Sequence, residues 1–203
     1  MAPPIPQSDF DTTTTITTTY DDPPCPFCRI AAIYPPYDPR SPPPATSPLL
    51  NPDATTPDPS TFVVLSTPLL IAFLDIMPLS LGHILVCPRA HRPKLTDISP
   101  SEARELGYQL RVLSAAVART TGVTDWNVVQ NNGAAAAQVV PHMHFHIIPR
   151  PELRAQGRER FTSTMFGRGQ REDLDEEEGV GLAEGVRRAV GEVLREEEEK
   201  AKL

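Results

Sequence analysis

The five histidines of the chain occur in three places, and three of them alternate within one short run. His142, His144 and His146 are each separated by a single residue, whereas His83 and His91 stand upstream. In a β-strand, residues two apart point to the same face, so the three imidazoles share one face and the apolar residues between them pack on the other. Each imidazole must satisfy two nitrogens and protonated neighbours repel, so such a row has little use in plain packing. The pattern therefore indicates a chemical site.

Two kinds of chemistry suit this row, and an exposed edge that is accidentally rich in histidine is the structural alternative. The first is hydrolysis by a catalytic metal, for which His-x-His is ordinary ligand spacing. Such a site usually needs a further histidine or carboxylate, which the neighbours Pro141, Ile147, Ile148 and Pro149 do not supply. The second is nucleophilic catalysis, in which a neutral imidazole attacks phosphorus and carries a phosphoryl or nucleotidyl group covalently. Two flanking histidines provide the supporting donors that this reaction needs.

Several sequence blocks accompany the run of histidines. The run is followed by Ile-Ile-Pro-Arg and preceded by Phe73-Leu-Asp75-Ile-Met-Pro78, Gly82-His83-Ile-Leu-Val-Cys-Pro88, His91, Asn131-Asn-Gly133 and Gln138. In this order the blocks resemble the histidine triad (HIT) nucleotide hydrolases and transferases. Cys25-x-x-Cys28 resembles a motif of the zinc-containing, Hint-like subgroup of that family. The matching blocks span about 25–33 and 62–150.

The resemblance implies a role for individual residues. His144 is implied to be the nucleophile that forms a nucleotidyl-histidine intermediate, with His142 and His146 as its catalytic supporters. His146 is implied to contact the transferred phosphate. The other implied positions are Gln138 and Asn131 at the phosphate and leaving group, Asp75 at the ribose hydroxyls, and Phe73 and Ile76 near the base.

Two positions depart from the family pattern. The residue after Gln138 is usually Ser or Thr, whose hydroxyl helps to bind phosphate, but here it is Val139. The residue before the glutamine is usually Gly, but here it is Ala137. One side-chain donor is therefore missing, which bears on the rate and the substrate range more than on the reaction class.

The cysteines suggest a second site. A Cys-x-x-Cys pair can be a redox motif, yet no thioredoxin-like βαβ pattern surrounds Cys25 and Cys28. As a zinc site the pair needs two more ligands, and the resemblance supplies His91 and His142. The two interpretations left open are structural zinc on these four residues and a metal-free knuckle with buried thiols. Cys87, in an apolar strand, is interpreted as core.

The leading hypothesis is a hydrolase or transferase that cleaves a nucleoside 5′-phosphoramidate or a dinucleoside polyphosphate. The alternative is a nucleotide-binding or scaffold protein of the same family with weak catalysis. The expected partners are a small-molecule nucleotide substrate and a second copy of the chain, since relatives of this size usually pair. No apolar run approaches the roughly 20 residues of a membrane helix, so no membrane partner is expected. Nucleic acid is disfavoured as a partner, because the only basic segment of the chain is residues 150–171, which contain six arginines.

The elements that position these residues predict an α+β domain with an antiparallel sheet of about five strands, a long helix on one face and a C-terminal helix. The resemblance implies that this domain has the HIT-like fold. The predicted strands are 62–66, 69–74, 83–87, 126–130 and 142–148. Ser99-Pro-Ser-Glu102 is a capping box that opens a helix to about Thr121, where Gly122 ends it. A last amphipathic helix is predicted at about 181–199.

Composition divides the chain further. Sixteen of its 24 prolines lie in residues 1–59, so this stretch is expected to contribute little to a core. We expect a disordered tail at 1–24, a HIT domain at 25–33 and 61–150 with a Pro-rich insertion at 34–60, and an Arg-rich connector with an acidic helix at 151–203. Residues 172–203 hold twelve acids and five bases and carry the whole net charge of −7. Few cysteines and no secretory signal predict a soluble, cytoplasmic protein, with the nucleus as a second location.

Overall fold

The computed structural model describes residues 25–50, 61–151 and 173–202. The tail at 1–24, residues 51–60 of the insertion and residues 152–172 of the connector lie outside the described residues. The helices and strands are, in chain order, α1 (Pro26–Ile33), β1 (Val63–Ser66), β2 (Leu70–Leu74), β3 (Ile84–Pro88), α2 (Pro100–Thr121), β4 (Trp126–Gln130), β5 (Phe145–Pro149) and α3 (Glu176–Lys200). Among the described residues, no helix is both long and apolar enough to cross a membrane.

The five strands form one antiparallel sheet in the order β1-β2-β3-β5-β4. This sheet, with the long helix α2 and the C-terminal helix α3, confirms the predicted fold class. The strand predicted to begin at His142 is paired only from Phe145 onward. Its first residues are irregular because the Met143 N–H donates to the Arg92 carbonyl and the His142 N–H to the Val140 carbonyl, neither of which belongs to a neighbouring strand.

Helix α2 begins and ends as its sequence signals predict. The Ser99 hydroxyl accepts from the Glu102 N–H at 3.2 Å, and the Glu102 carboxylate accepts from the Ser99 N–H at 2.6 Å. Gly122 adopts a left-handed conformation with φ of 71°, which an L side chain rarely takes, and closes the helix. Arg92 donates to the buried carboxylate of Glu102 and so fastens the segment after β3 to the start of the helix.

The main core lies between the sheet and the two long helices. Alternate strand residues such as Ala72 and Val86 face Leu113 of α2 and Val190 of α3 across it. Helix α3 begins at Glu176, five residues before the predicted start, because the Asp175 side chain accepts from the Glu178 N–H and caps it. The prediction placed its start too late because the first turn is acidic and glycine-containing rather than apolar.

A second cluster lies on the opposite face of the sheet. It contains Phe27 of α1 and Tyr34, packed on Ile71, Phe73 and their neighbours. The Pro-rich stretch therefore does contribute to a core, and that expectation was wrong for residues 25–50. Aromatic side chains between the prolines supply the buried surface. Backbone groups next to proline can still form hydrogen bonds, as the Tyr37 N–H does with the Ser66 carbonyl at 2.9 Å.

Candidate active site and metal centre

The triad lies on the sheet face opposite the two long helices. His146 is paired with Leu85 of β3 and shares the face of the second cluster. Met143 and Ile147 belong to the main core on the other face, as strand alternation predicts. The rings of His144 and His146 are neighbours, with centroids 4.9 Å apart. The structure thus brings the predicted catalytic histidines together.

His144 is held in one tautomer by the main chain. Its Nδ1 lies 2.6 Å from the carbonyl oxygen of His142, and a carbonyl can only accept, so Nδ1 carries the hydrogen. The lone pair is therefore on Nε2. Burial lowers the pKa of His144 below its usual range, so the ring is neutral at neutral pH. A neutral imidazole with a free lone pair is a competent nucleophile.

His83 joins the triad from the loop before β3. Its Nε2 lies 3.0 Å from His146 Nδ1, and its Nδ1 lies 3.2 Å from the Leu79 amide and 3.4 Å from an Asp75 carboxylate oxygen. The structure places this ring, almost wholly buried, next to His146. In the sequence, the position after Gly82 is the one feature that distinguishes His83, and this position does not identify its hydrogen-bond partner.

The loop before the triad is closed by Gln138. Its side-chain oxygen accepts from the Gly133 N–H at 2.6 Å, and its amide donates to the Pro93 carbonyl at 2.8 Å. These bonds close the loop on itself and fasten it to the chain after β3. Ala137 adopts a left-handed φ of 63° where the family pattern has glycine. Val139, at the position of the missing hydroxyl, is 92% exposed.

The residues assigned to the nucleoside differ in accessibility. Ile76 is 39% exposed, whereas Phe73 is 4% exposed and packs against Phe27 in the second cluster. Asp75 accepts from the Met77 N–H at 2.9 Å and lies beside His83. Asn131, half-buried, follows β4. Their contacts with a nucleotide stay predictions.

The four predicted metal ligands converge from three segments of the chain. The donor atoms of Cys25, Cys28, His91 and His142 all lie within 4.8 Å of one another. The His142 Nδ1 is 3.4 Å from the Cys25 sulfur and 3.5 Å from the Cys28 sulfur, and His91 Nδ1 is 3.4 Å from the Cys28 sulfur. Tetrahedral zinc separates sulfur and nitrogen ligands by about 3.5 Å, so these distances fit that ion.

The protonation of His142 also suits a metal ligand. Its Nε2 lies 2.9 Å from the Pro88 carbonyl and must donate to it, so the lone pair is on Nδ1, which faces the two sulfurs. Burial lowers the pKa of His142 to about 4, which keeps the ring neutral. Burial and the adjacent Cys25 thiol raise the pKa of Cys28 to about 11. A divalent cation reverses this preference, because it stabilises the thiolates.

Comparison with known proteins agrees with this geometry. The HIT domain model matches residues 57–153. An uncharacterised HIT-like protein of Methanocaldococcus jannaschii is 36% identical over 106 residues, which are 52% of this chain and 77% of that protein. The chain belongs to the histidine triad (HIT) family.

Characterised relatives are named as hydrolases of different nucleotides. An adenosine 5′-monophosphoramidase of Schizosaccharomyces pombe is 44% identical over 85 residues, or 42% of this chain and 61% of that protein. An asymmetrical bis(5′-nucleosyl)-tetraphosphatase of the same yeast is 37% identical over 84 residues, or 41% of this chain and 46% of that protein. The chain thus spans about half the length of these curated relatives.

Solved structures agree with the fold. A hypothetical histidine triad nucleotide-binding protein of Sulfolobus tokodaii has a TM-score of 0.56 at 26% identity, covering 66% of this chain and 87% of that one. A Zn-bound histidine triad protein of Mycobacterium smegmatis has a TM-score of 0.57 at 24% identity, covering 85% of this chain and 96% of that one. At that identity the second likeness concerns the fold alone.

Proposed function

We propose that the protein is a nucleotide hydrolase or transferase that works through a covalent nucleotidyl-histidine on His144. The observation that carries the proposal is the hydrogen bond from His144 Nδ1 to the His142 carbonyl, which leaves the Nε2 lone pair available to attack phosphorus. The hydrolase names of the relatives support the reaction class. The rings of His144 and of the proposed donor His146 are neighbours in space, and the closed loop at Gln138 shortly precedes them in the chain.

The reaction has two displacements. Nε2 of His144 forms a bond to the α-phosphorus of the nucleotide while the bond from phosphorus to the leaving group breaks, and the leaving group takes up a proton. Water then attacks the same phosphorus, the phosphorus–nitrogen bond returns its electron pair to Nε2, and a proton is released. His146 donates to the transferred phosphate, and Gln138 holds the loop that borders it. Asp75 accepts hydrogen bonds from the ribose hydroxyls. Phe73 and Ile76 lie near the base, and Asn131 lies at the leaving group.

The experiment that tests this function compares wild type and His144→Ala on two substrates in parallel. Adenosine 5′-phosphoramidate has an amine as the leaving group, whereas a dinucleoside polyphosphate has a nucleotide. Turnover of either substrate by wild type, lost in the variant, supports the proposal, and the ratio of the two kcat/KM values gives the preferred leaving group. Absence of turnover with retained nucleotide binding would instead support the scaffold alternative, which the exposed Val139 favours.

Val139→Ser should increase kcat/KM by up to about tenfold. The serine restores a hydroxyl donor beside the transferred phosphate, and one hydrogen bond to a charged group contributes roughly 1.5 kcal/mol. Because Val139 is 92% exposed, the substitution should leave the melting temperature unchanged. Val139→Ala is the matched control, since it shortens the side chain without adding a donor. Equal rates for the serine and alanine variants would contradict a role for the hydroxyl.

The cysteine–histidine cluster is, in the same proposal, a structural zinc site. Cys25, Cys28, His91 and His142 would hold the ion through two sulfurs and two imidazole nitrogens, a donor set that zinc prefers. The ion would supply folding energy and rigidity rather than catalysis. Because the His142 carbonyl orients His144, holding His142 in place also holds the nucleophile.

The proposed assembly is a homodimer formed through β4 and α2. Strand β4 is at an edge of the sheet, and its outer side offers backbone groups for pairing. A mainly apolar groove beside it is lined by Trp126, Val128 and four residues of α2 (Leu110, Arg111, Ser114 and Ala115). Trp126 and Val128 are both more than 40% exposed. A second copy of the chain can cover the edge and the groove together.

Light scattering should therefore give twice the chain mass of 22.3 kDa at micromolar concentration. Val128→Lys should shift the mass to the monomer, because a charge would be buried in the interface. Val180→Lys, at a similarly exposed valine on α3, is the matched control and should stay dimeric. A monomeric wild type would contradict the assembly, and a dimeric Val128→Lys would contradict this interface.

A further inference from the structure

The segment that leads into α3 is bonded to the loop that follows β2. The Leu174 N–H donates to the Ile76 carbonyl at 2.9 Å, although β3, α2, β4 and β5 separate the two residues in the sequence. The Leu174 side chain is half-buried and packs against the main core, which holds its amide in place. Ile76 and Met77, in contrast, are 39% and 44% exposed. The bond therefore ties an exposed part of the loop to a packed part of the chain.

The first turn of α3 also lies against the end of the strand from which this loop starts. Gly179 is buried, and a Cβ added there would lie 2.6–2.8 Å from three carbons of the Phe62 ring. The Phe62 carbonyl in turn accepts from the N–H of Leu74, the last residue of β2, at 3.0 Å. A second contact, independent of the Leu174 bond, thus joins the start of α3 to the residue before Asp75.

We infer that Leu174 is a positioning residue through which the start of α3 sets the affinity of the site for the nucleoside part of the substrate. The inference rests on the proposed function, in which Asp75 binds the ribose and Ile76 lies near the base. A bond to the Ile76 carbonyl fixes the backbone between these two side chains. A loop that is already ordered binds its ligand more tightly, because binding need not first select the right conformation. The nucleophile His144 lies on another segment, so the chemical step should not depend on this bond.

A matched pair of variants tests the Leu174 bond. Leu174→Pro and Leu174→Ala both remove the leucine side chain, but only proline also removes the N–H. We expect Leu174→Pro to raise the dissociation constant of AMP and the KM for adenosine 5′-phosphoramidate about tenfold relative to Leu174→Ala, with kcat changed less than about threefold. A contact that only stabilises the fold would lower the melting temperature and leave the two dissociation constants equal. That result would overturn the inference.

Two glycines of α3 provide a test that leaves the bonded residues unchanged. Gly179→Ala places a methyl group against Phe62, whereas Gly181→Ala, in the same helix, meets no atom within 4 Å. Both substitutions favour the helix to a similar extent, so a difference between them reports displacement of its first turn. We expect the dissociation constant of AMP to rise about fivefold in Gly179→Ala and to stay at the wild-type value in Gly181→Ala. Equal affinities would overturn control of the loop by α3.

Amide hydrogen exchange of the wild-type protein tests the coupling without a variant. Bound AMP should slow exchange of the Leu174 amide by about fivefold or more, because coupling between two sites is reciprocal. An exchange rate that AMP leaves unchanged would overturn the inference. Wild type that binds no AMP would reject the proposed function together with this role. Normal AMP binding by wild type, with equal affinities of the two Leu174 variants, would reject the positioning role alone.

Discussion

Replacing His144 by asparagine should abolish turnover while nucleotide binding survives. His144 has a main-chain bond that leaves the Nε2 lone pair available for attack, and in the proposed mechanism it acts in the chemical step rather than in ground-state binding. We therefore expect kcat to fall by roughly 10⁴-fold or more, with the dissociation constant of the nucleotide product changed only a few-fold. The measurements are steady-state turnover of adenosine 5′-phosphoramidate and calorimetric binding of AMP.

Trapping the intermediate makes this prediction specific to the covalent mechanism. Intact-mass spectra of wild type mixed rapidly with substrate should show a species heavier by one nucleotidyl group, absent from His144→Asn. His146→Asn is the control, because it removes the neighbouring donor but keeps the nucleophile. It should react slowly and still form the adduct. Near wild-type kcat in His144→Asn, or an adduct on that variant, would exclude the mechanism.

Removal of the proposed zinc should destabilise the fold before it affects the chemistry. The four ligands join α1, the segment after β3 and the segment before β5, so the ion would link three parts of the chain. Structural zinc contributes directly to folding free energy. For Cys25→Ser/Cys28→Ser we expect a net loss of roughly 4 kcal/mol, which lowers Tm by about 10 °C in a chain of this size. Activity should decline only as His142 loosens and its carbonyl releases His144.

Elemental analysis and thermal unfolding check this prediction together. Wild type should contain about one zinc per chain, and the double variant none. Cys87→Ala is the control, because Cys87 is a buried thiol in the second cluster and does not belong to the ligand set. Burial raises the pKa of the Cys87 thiol, which keeps it protonated. A zinc-free wild type that is folded and active, or a double variant with unchanged zinc content, would exclude the site.

Local patterns were the most predictable part of the molecule. The alternation within β5 follows from the two-residue period of extended backbone, and Met143, which precedes the paired strand, also lies in the main core as expected. The bounds of α2 follow from the capping box at Ser99 and from the left-handed residue Gly122. Both signals depend on residues a few positions apart, so the rest of the chain does not alter them.

The predictions that were wrong concern segments whose composition hides their packing. Prolines dominate residues 25–50, yet Phe27 and Tyr34 are each 7% exposed. Arg89 supports this packing, because its guanidinium donates to the carbonyls of Ala31 and Tyr34. Helix α3 begins earlier than predicted, and Gly179 lets its first turn approach the ring of Phe62 closely. The average composition of a segment does not indicate which few of its side chains are buried.

The local elements, the row of imidazoles on one face and, through resemblance, the family and the candidate metal ligands were predictable from residue types and their spacing. Which atoms meet depends on the tertiary structure. Cys25 and His142 are 117 residues apart, and His83 and His146 are 63 apart. Pairing of β3 with β5 brings the second pair together, and the fold of the loop at Leu79 places its amide 3.2 Å from His83 Nδ1. The physical reason is that a hydrogen bond or metal ligand requires separations set within a few tenths of an ångström, which local periodicity does not specify.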